Sequence, residues 1–339
     1  MGEYARSSAI ARAVAQHWPS AAIHFVLSRA APYAANVPFP KTLLASSATF
    51  HSAAVIDLIR TWRPHVVVFD NAGRTAQLKA AHRLGARVVY ISARRRQRGK
   101  AFRLRWMPLI DEHWIAYPEF IAGKLRLLER LKLKLLRRPV VRYLDVIFTR
   151  APPARNALIL SQAGCAAGRY VLVVPGGGTG HPGAGGAVEY FSAAACTLAA
   201  RGVVTVFVGP PNSSPTDAPF NENLRPMGSL PQSDLVELMR CARLIVVNGG
   251  STLLQAIACG AACVAVPIAR DQAARIRRCV DAGVAVESAI DAARIAEVAG
   301  ALWDNEPARA ALARRAAELA LADGVEVAAS AIGKLVEPA

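Results

Sequence analysis

The run Asn248-Gly249-Gly250-Ser251-Thr252-Leu253-Leu254-Gln255-Ala256-Ile257-Ala258-Cys259-Gly260 holds the residues best suited to chemistry. The apolar stretch Leu244–Val247 reads as a strand that stops at two glycines, and a helix opens at Ser251. Such a junction turns bare backbone N–H groups and the positive end of a helix dipole outward, which favours an anion such as a diphosphate. Gly249, Gly250, Ser251 and Thr252 are therefore expected to hold one. A second glycine-rich loop, Pro175–Gly183, follows the apolar run Tyr170–Val174 and offers Gly177, Gly178 and Thr179 for the same task, with His181 as a further donor. Glycines there let the backbone approach a phosphate closely. No Gly-Lys-Ser/Thr follows, so this is not a P-loop. Gln255, one turn into its helix, is placed for ribose hydroxyls or for a local bond. After the apolar run Cys263–Pro267, Asp271 and Gln272 offer an acceptor and a donor-acceptor to sugar hydroxyls, with a helix cap as the other reading of Asp271.

These residues need elements to position them. Helices are expected at Ser8–His17, Ser52–Arg60, Thr75–Leu84, Ala292–Trp303 and Ala308–Leu321, with another ending near Ala200. Strands are expected at Ile23–Leu27, His65–Phe69, Arg87–Ile91, His113–Tyr117, Tyr170–Val174, Val203–Val208, Leu244–Val247 and Cys263–Pro267. Strands alternating with helices imply parallel sheets with crossovers, and ligands of such sheets sit at the carboxyl ends of the strands. The fold expected is α/β, with two Rossmann-like doubly wound domains facing a cleft. The first, 1–150, is the acceptor side. A linker rich in Pro and Gly spans 150–169. The second domain, 165–322, takes the nucleotide sugar, and 323–339 is a terminal helix that packs back on the first domain. Met1–Arg6 reads as a loop entering a helix. In a doubly wound domain a buried strand comes before such a loop, so the first strand is expected to be missing from this reading frame.

The run from 244 to 284 resembles the nucleotide-sugar domain of GT-B glycosyltransferases. It is similar to glycosyltransferase family 28, which includes the enzyme that adds N-acetylglucosamine to a lipid-linked peptidoglycan precursor, and to the nucleotide-sugar hydrolases of pseudaminic acid synthesis. The matching positions are Gly249, Gly250, Ser251, Thr252, Gly260, Pro267 and Gln272, and Gln255 stands where the family has a ribose-binding acid. In these families a Gly-His-x-x-Arg/Pro loop opens the first helix. Here that text is Gly2-Glu3-Tyr4-Ala5-Arg6, which puts Glu3 at the position of the catalytic His. The resemblance implies Glu3 as the base that deprotonates an acceptor. Asp70, at the carboxyl end of a strand, is the other candidate base. Arg6 is expected to touch phosphate or acceptor.

Charge divides the chain. Residues 1–150 hold 26 Lys and Arg against 8 Asp and Glu, a net of +18, whereas 151–339 carry a net of −1. The first half thus faces a polyanion or an anionic surface. Arg94, Arg95, Arg96, Arg98, Lys100, Arg103 and Arg105 form one cluster near Phe102 and Trp106. Ile121–Arg138 forms another, with Leu125, Leu128, Leu131 and Leu135 at helical spacing among Lys132, Lys134, Arg137 and Arg138. A basic amphipathic stretch suits an anionic membrane, and no nucleic-acid motif accompanies the charge. The six cysteines form no CxxC pair and read as small interior residues. No membrane span and no secretory leader is evident.

The expectation is an inverting glycosyltransferase, of hexosyltransferase type, in cell-envelope synthesis. It uses a nucleotide-diphosphate sugar, foremost a UDP-sugar, and an acceptor carried by a membrane or lipid. It is cytoplasmic and peripheral on the inner face of the membrane. No Asp-x-Asp pair occurs, so no metal and no cofactor are expected, and the nucleotide sugar is a co-substrate. The alternatives are a nucleotide-sugar hydrolase and a non-catalytic binder of polyanions or membranes.

Overall fold

A computed structural model describes residues 2–148, 154–176, 186–210 and 221–337. The chain forms two compact units, one of Met1–Ile147 with Ala322–Ala339 and one of Phe148–Leu321.

The first unit begins with helix α1 (Gly2–His17) and continues through strands β1 (Phe25–Ser28) and β2 (Lys41–Leu44), helix α2 (Ser52–Trp62), β3 (Val66–Asp70), α3 (Thr75–Arg83), β4 (Arg87–Ser92), α4 (Arg95–Ala101), β5 (Glu112–Ile115), α5 (Glu119–Ala122), α6 (Leu127–Leu136) and β6 (Val140–Tyr143). The loop expected over Met1–Arg6 is instead helical from Gly2, and Glu3 gives α1 an acid in its first turn, which suits the helix dipole. β3, β4, β5 and β6 pair in that order, all parallel, while β1 and β2 form a separate parallel pair. Val88 to Ile91 of β4 are wholly buried, as a central parallel strand requires. One sheet face packs Tyr90 and Phe69 against Val55, Ile59, Leu78 and Trp106. The other packs Val89, Ile91 and Trp114 against Ile10 of α1 and against Ala328 and Ala331 near the chain's end.

The second unit runs α7 (Ala154–Gln162), β7 (Val171–Val174), α8 (Ala187–Ala200), β8 (Thr205–Val208), β9 (Leu224–Met227), α9 (Gln232–Cys241), β10 (Leu244–Asn248), α10 (Ser251–Ala258), β11 (Ala262–Val266), α11 (Arg270–Asp281), β12 (Val286–Glu287), α12 (Ala292–Asp304) and α13 (Glu306–Glu318). Its six parallel strands lie in the order β12-β11-β10-β7-β8-β9. That is the doubly wound order, with the reversal of direction between β7 and β10. The continuous apolar runs of β7, β10 and β11 are buried along their full length. The unexpected strand β9 contains Pro226 and sits at a sheet edge, where a missing N–H is tolerated. The linker expected over 150–169 contains α7, whose Arg155 donates to Asp234 of α9 at 3.1 Å through Nε and at 2.6 Å through Nη2. Cys263 and Cys279 are buried, and burial pushes both thiols up, so they are packing residues.

The last helix, α14 (Gly324–Val336), returns to the first unit. Asp323 caps it by accepting from Val325 N at 3.0 Å. A Cβ at Gly324 would run into the carbonyl of Leu144, so only glycine permits this approach. No described helix is long and apolar enough to cross a membrane.

Candidate functional site

The second unit places Pro175, Gly176 and the Gly249-Gly250 turn at the sheet's reversal point. β10 ends at Asn248 and β7 at Val174, and the two strands are hydrogen-bonded neighbours. Asn248 is 7% exposed and ties the loops together. Its Nδ2 donates to the carbonyl of Pro175 at 2.5 Å, and its Oδ1 accepts from Gly250 N at 2.7 Å. Gly176 has φ +84°, and a Cβ there would run into the Asn248 amide. A Cβ on Gly249 would lie 2.7 Å from Ile276 and 2.9 Å from Gln272 Cβ, and one on Gly250 would lie 2.7 Å from Asn248 Oδ1. Both glycines are therefore required by close packing.

α10 starts at Ser251 with no side-chain cap. Its first N–H groups, including those of Ser251 and Thr252, have no intrahelical acceptor and face the strand-end side, which is the anion-binding arrangement. Gly177, Gly178 and Thr179, like His181, lie outside the described residues.

The sugar-binding candidates divide. Asp271 has a side chain 70% exposed and pairs loosely with Arg275 at 3.7 Å. Gln272 is 6% exposed, and its Oε1 accepts from Ile268 N at 3.0 Å, so its carbonyl end braces the turn after β11. Gln255 is 5% exposed on α10. Arg275 was not anticipated as a site residue. Its guanidinium donates to the carbonyl of Gly249 and holds the glycine loop from behind. The spacing of Arg275 from Asp271, one helical turn, was the available signal.

The first unit gathers its candidates at the carboxyl end of β3. The Asp70 side chain is 11% exposed, and its two oxygens accept from Arg6, through Nε at 3.1 Å and through Nη2, and from Ser7 Oγ at 2.9 Å. Burial pushes the Asp70 carboxyl up, and the Arg6 guanidinium and Ser7 hydroxyl work against that rise. With both oxygens engaged, Asp70 anchors α1 rather than standing free as a base. Arg6, 7% exposed, is its partner and not an open phosphate contact. Glu3 is exposed, and its Oε1 accepts from Asn71 Nδ2 at 2.8 Å. Asn71 has φ +51° and also accepts from Ala93 N at 2.7 Å, so one asparagine links the ends of β3 and β4 to Glu3. Among the described residues no group of three His, Cys, Asp or Glu could hold a metal ion.

The basic clusters are partly structural. Arg94, Arg95, Arg96, Arg103, Arg105, Lys134, Arg137 and Arg138 are exposed. Arg98 is 8% exposed, donates to Gly123 O at 2.8 Å and pairs with Glu129 at 2.8 Å, so it belongs to the interior. Phe102 and Trp106 are buried at 3% each, which removes them from any surface patch. Lys100 is half-buried, and burial and the neighbouring Arg96, Arg74 and Arg103 lower its ammonium. Lys132 donates to Phe102 O at 3.1 Å. The single basic helix expected over Ile121–Arg138 is divided into α5 and α6.

Searches found no family model and no curated protein that matches this chain. Solved structures do match over nearly its whole length. The spinosyn forosaminyltransferase SpnP superposes with a TM-score of 0.65 at 12% identity, covering 98% of this chain and 96% of that one. UGT2 of Phytolacca americana, complexed with UDP-2-fluoroglucose and pterostilbene, gives 0.64 at 12% identity over 92% and 89%. A protein assigned as a UDP-N-acetylglucosamine 2-epimerase from Listeria monocytogenes gives 0.60 at 15% identity over 98% and 92%. The fold is therefore GT-B, built from Rossmann-like halves. The presence of an epimerase beside transferases means that the fold by itself leaves the reaction to the site residues.

Proposed function

We propose that the chain is an inverting, metal-independent glycosyltransferase that uses a nucleotide-diphosphate sugar, a UDP-sugar before others. The observation that carries this reading is the loop pair at the reversal point, where Asn248 joins Pro175 to Gly250 ahead of an uncapped α10. In the proposed reaction the N–H groups of Ser251 and Thr252 neutralise the charge that grows on the leaving diphosphate. Asp271, the exposed one of the sugar candidates, accepts from donor hydroxyls. Glu3 takes the proton of an acceptor hydroxyl, whose oxygen attacks the anomeric carbon from the face opposite the leaving diphosphate. The absence of an Asp-x-Asp pair favours amides over a divalent ion in this role.

The acceptor is proposed to lie on an anionic membrane. α6 supports this, because its one acid turns inward while four of its leucines face outward. Glu129 pairs with Arg98, while Leu127, Leu128, Leu131 and Leu135 are 78%, 69%, 60% and 77% exposed. Exposed Arg126, Arg130, Lys134 and Arg137 accompany them. An apolar face ringed by cations suits the headgroup boundary of an anionic bilayer.

The test is nucleoside-diphosphate release from a panel of nucleotide sugars, in the presence of a chelator, with and without a bacterial envelope-lipid extract. Release that requires the extract and is lost in Glu3→Gln supports the transferase. Equal release without extract replaces it with a hydrolase.

A further inference from the structure

We propose that the first unit contains a slot between β1 and β3 for one more parallel strand, and that its occupant is an extended apolar segment leading directly into α1. β1 pairs with β2 and β3 with β4, and no described strand bonds to their other edges. Yet the two pieces of sheet share both helical layers. Val26 of β1 and Val67 and Phe69 of β3 enter the same core as Val55 and Ile59 of α2. On the other face, Tyr4 of α1 meets Phe25 edge-on with ring centroids 6.4 Å apart, and Ile10 and Val14 of α1 pack with Val66. Neighbouring residues of a strand point to opposite faces, so these contacts lie on consistent sides of one layer. Two parallel fragments thus lie between the same helices without bonding to each other.

Burial marks the same gap. β4 is fully buried over Val88–Ile91, whereas β1 is half-buried throughout and Val68 in the middle of β3 is 38% exposed. Parallel strands are normally covered on both sides, and an open apolar edge invites pairing. The first turns of α1 set the direction of the occupant. Glu3 bonds Asn71, and Arg6 and Ser7 bond Asp70, so α1 starts at the carboxyl end of β3. A strand filling the slot parallel to β3 would finish at that end, where the chain enters α1 and then crosses to β1. This is the βαβ connection that parallel sheets use. A segment of about five residues, alternating apolar side chains to both layers, matches a strand of ordinary length. What calls for it is the pair of open edges, wherever the polypeptide starts.

Amide hydrogen exchange on the 339-residue chain and on the chain extended through the in-frame codons before Met1 tests this. The preceding codons are expected to encode an apolar, β-branched stretch next to Gly2. In the extended protein the amides of Phe25–Ser28 and Val66–Asp70 should then exchange about tenfold more slowly or better. Val68→Lys should be tolerated in the 339-residue chain and should lower the Tm of the extended one by several degrees, whereas Val140→Lys, at a position 50% exposed on β6, should be tolerated in both. If the shorter chain is insoluble, the contrast between Val68→Lys and Val140→Lys in the extended protein gives the same reading. Preceding codons without an apolar stretch, or unchanged exchange in the extended protein, overturn the proposal. So does a dimer of the shorter chain that protects these same edges, because the occupant would then be a second copy.

Discussion

Two strand ends carry the candidate chemistry, and they are built from opposite materials. At β10 and β7 the second unit uses glycines, backbone amides and one neutral asparagine. At β3 the first unit uses a buried ion pair, with Asp70 and Arg6 locking α1 in place and Glu3 left exposed beside Asn71. The difference fits the roles proposed for them. A site proposed for a diphosphate is best left free of side-chain carboxylates and supplied with N–H groups, whereas the ion pair at β3 fixes the start of a helix.

Substitutions on either side sharpen this contrast. The largest effect is expected from Arg6→Ala, which leaves Asp70 buried without its partner and should destabilise the first unit by about 3–5 kcal/mol, read by urea unfolding. Gly249→Val should cost the second unit about 1–3 kcal/mol through overpacking on Ile276 and Gln272, and should reduce UDP affinity in calorimetry at least about tenfold by displacing the loop amides. Asn248→Ala removes two hydrogen bonds that join the loops. It should cost about 1–3 kcal/mol and weaken UDP binding while leaving the first unit's unfolding unchanged. If Asn248→Ala left nucleotide affinity intact, the reversal point would lose its place as the diphosphate site.

Acid separates the units further. His113 is fully buried, its Nε2 lies 2.8 Å from Ser92 Oγ, and burial pushes the imidazole down to about 3. A depressed histidine contributes stability above its unfolded value and loses it as protons bind the unfolded chain. The first unit should therefore lose about 1.4 kcal/mol per pH unit from about pH 6.5 downward. A His113→Gln variant should flatten that slope in denaturant titrations at stepped pH. The smallest stability change is expected for Leu131→Ser with Leu135→Ser, within about 0.5 kcal/mol because both side chains face solvent. The same pair should abolish co-sedimentation with phosphatidylglycerol vesicles.

The sequence made the reversal-point loops legible because continuous apolar runs ending in glycine mark buried parallel strands by composition alone. Such runs also made β3, β4, β7, β10 and β11 visible within a residue or two at most ends. β9 was hidden by Pro226, which argues against a strand unless its edge position is known. The pairing of Asp70 with Arg6 and Ser7 was not legible, since it joins residues distant in the chain. In α6 the leucine spacing was legible, but the pairing of Glu129 with Arg98 on another element, which sets the direction that Leu128, Leu131 and Leu135 face, was not.

The return of α14 to the first unit sets an order of events during synthesis. Phe148–Leu321 is one unbroken stretch and is complete once it leaves the ribosome. The layer over Val89, Ile91 and Trp114 is shared by Ile10 of α1 and by Ala328 and Ala331, which emerge only after that stretch. A nascent chain therefore carries a half-covered apolar sheet face while Phe148–Leu321 is being made, which gives a holding chaperone an opportunity there.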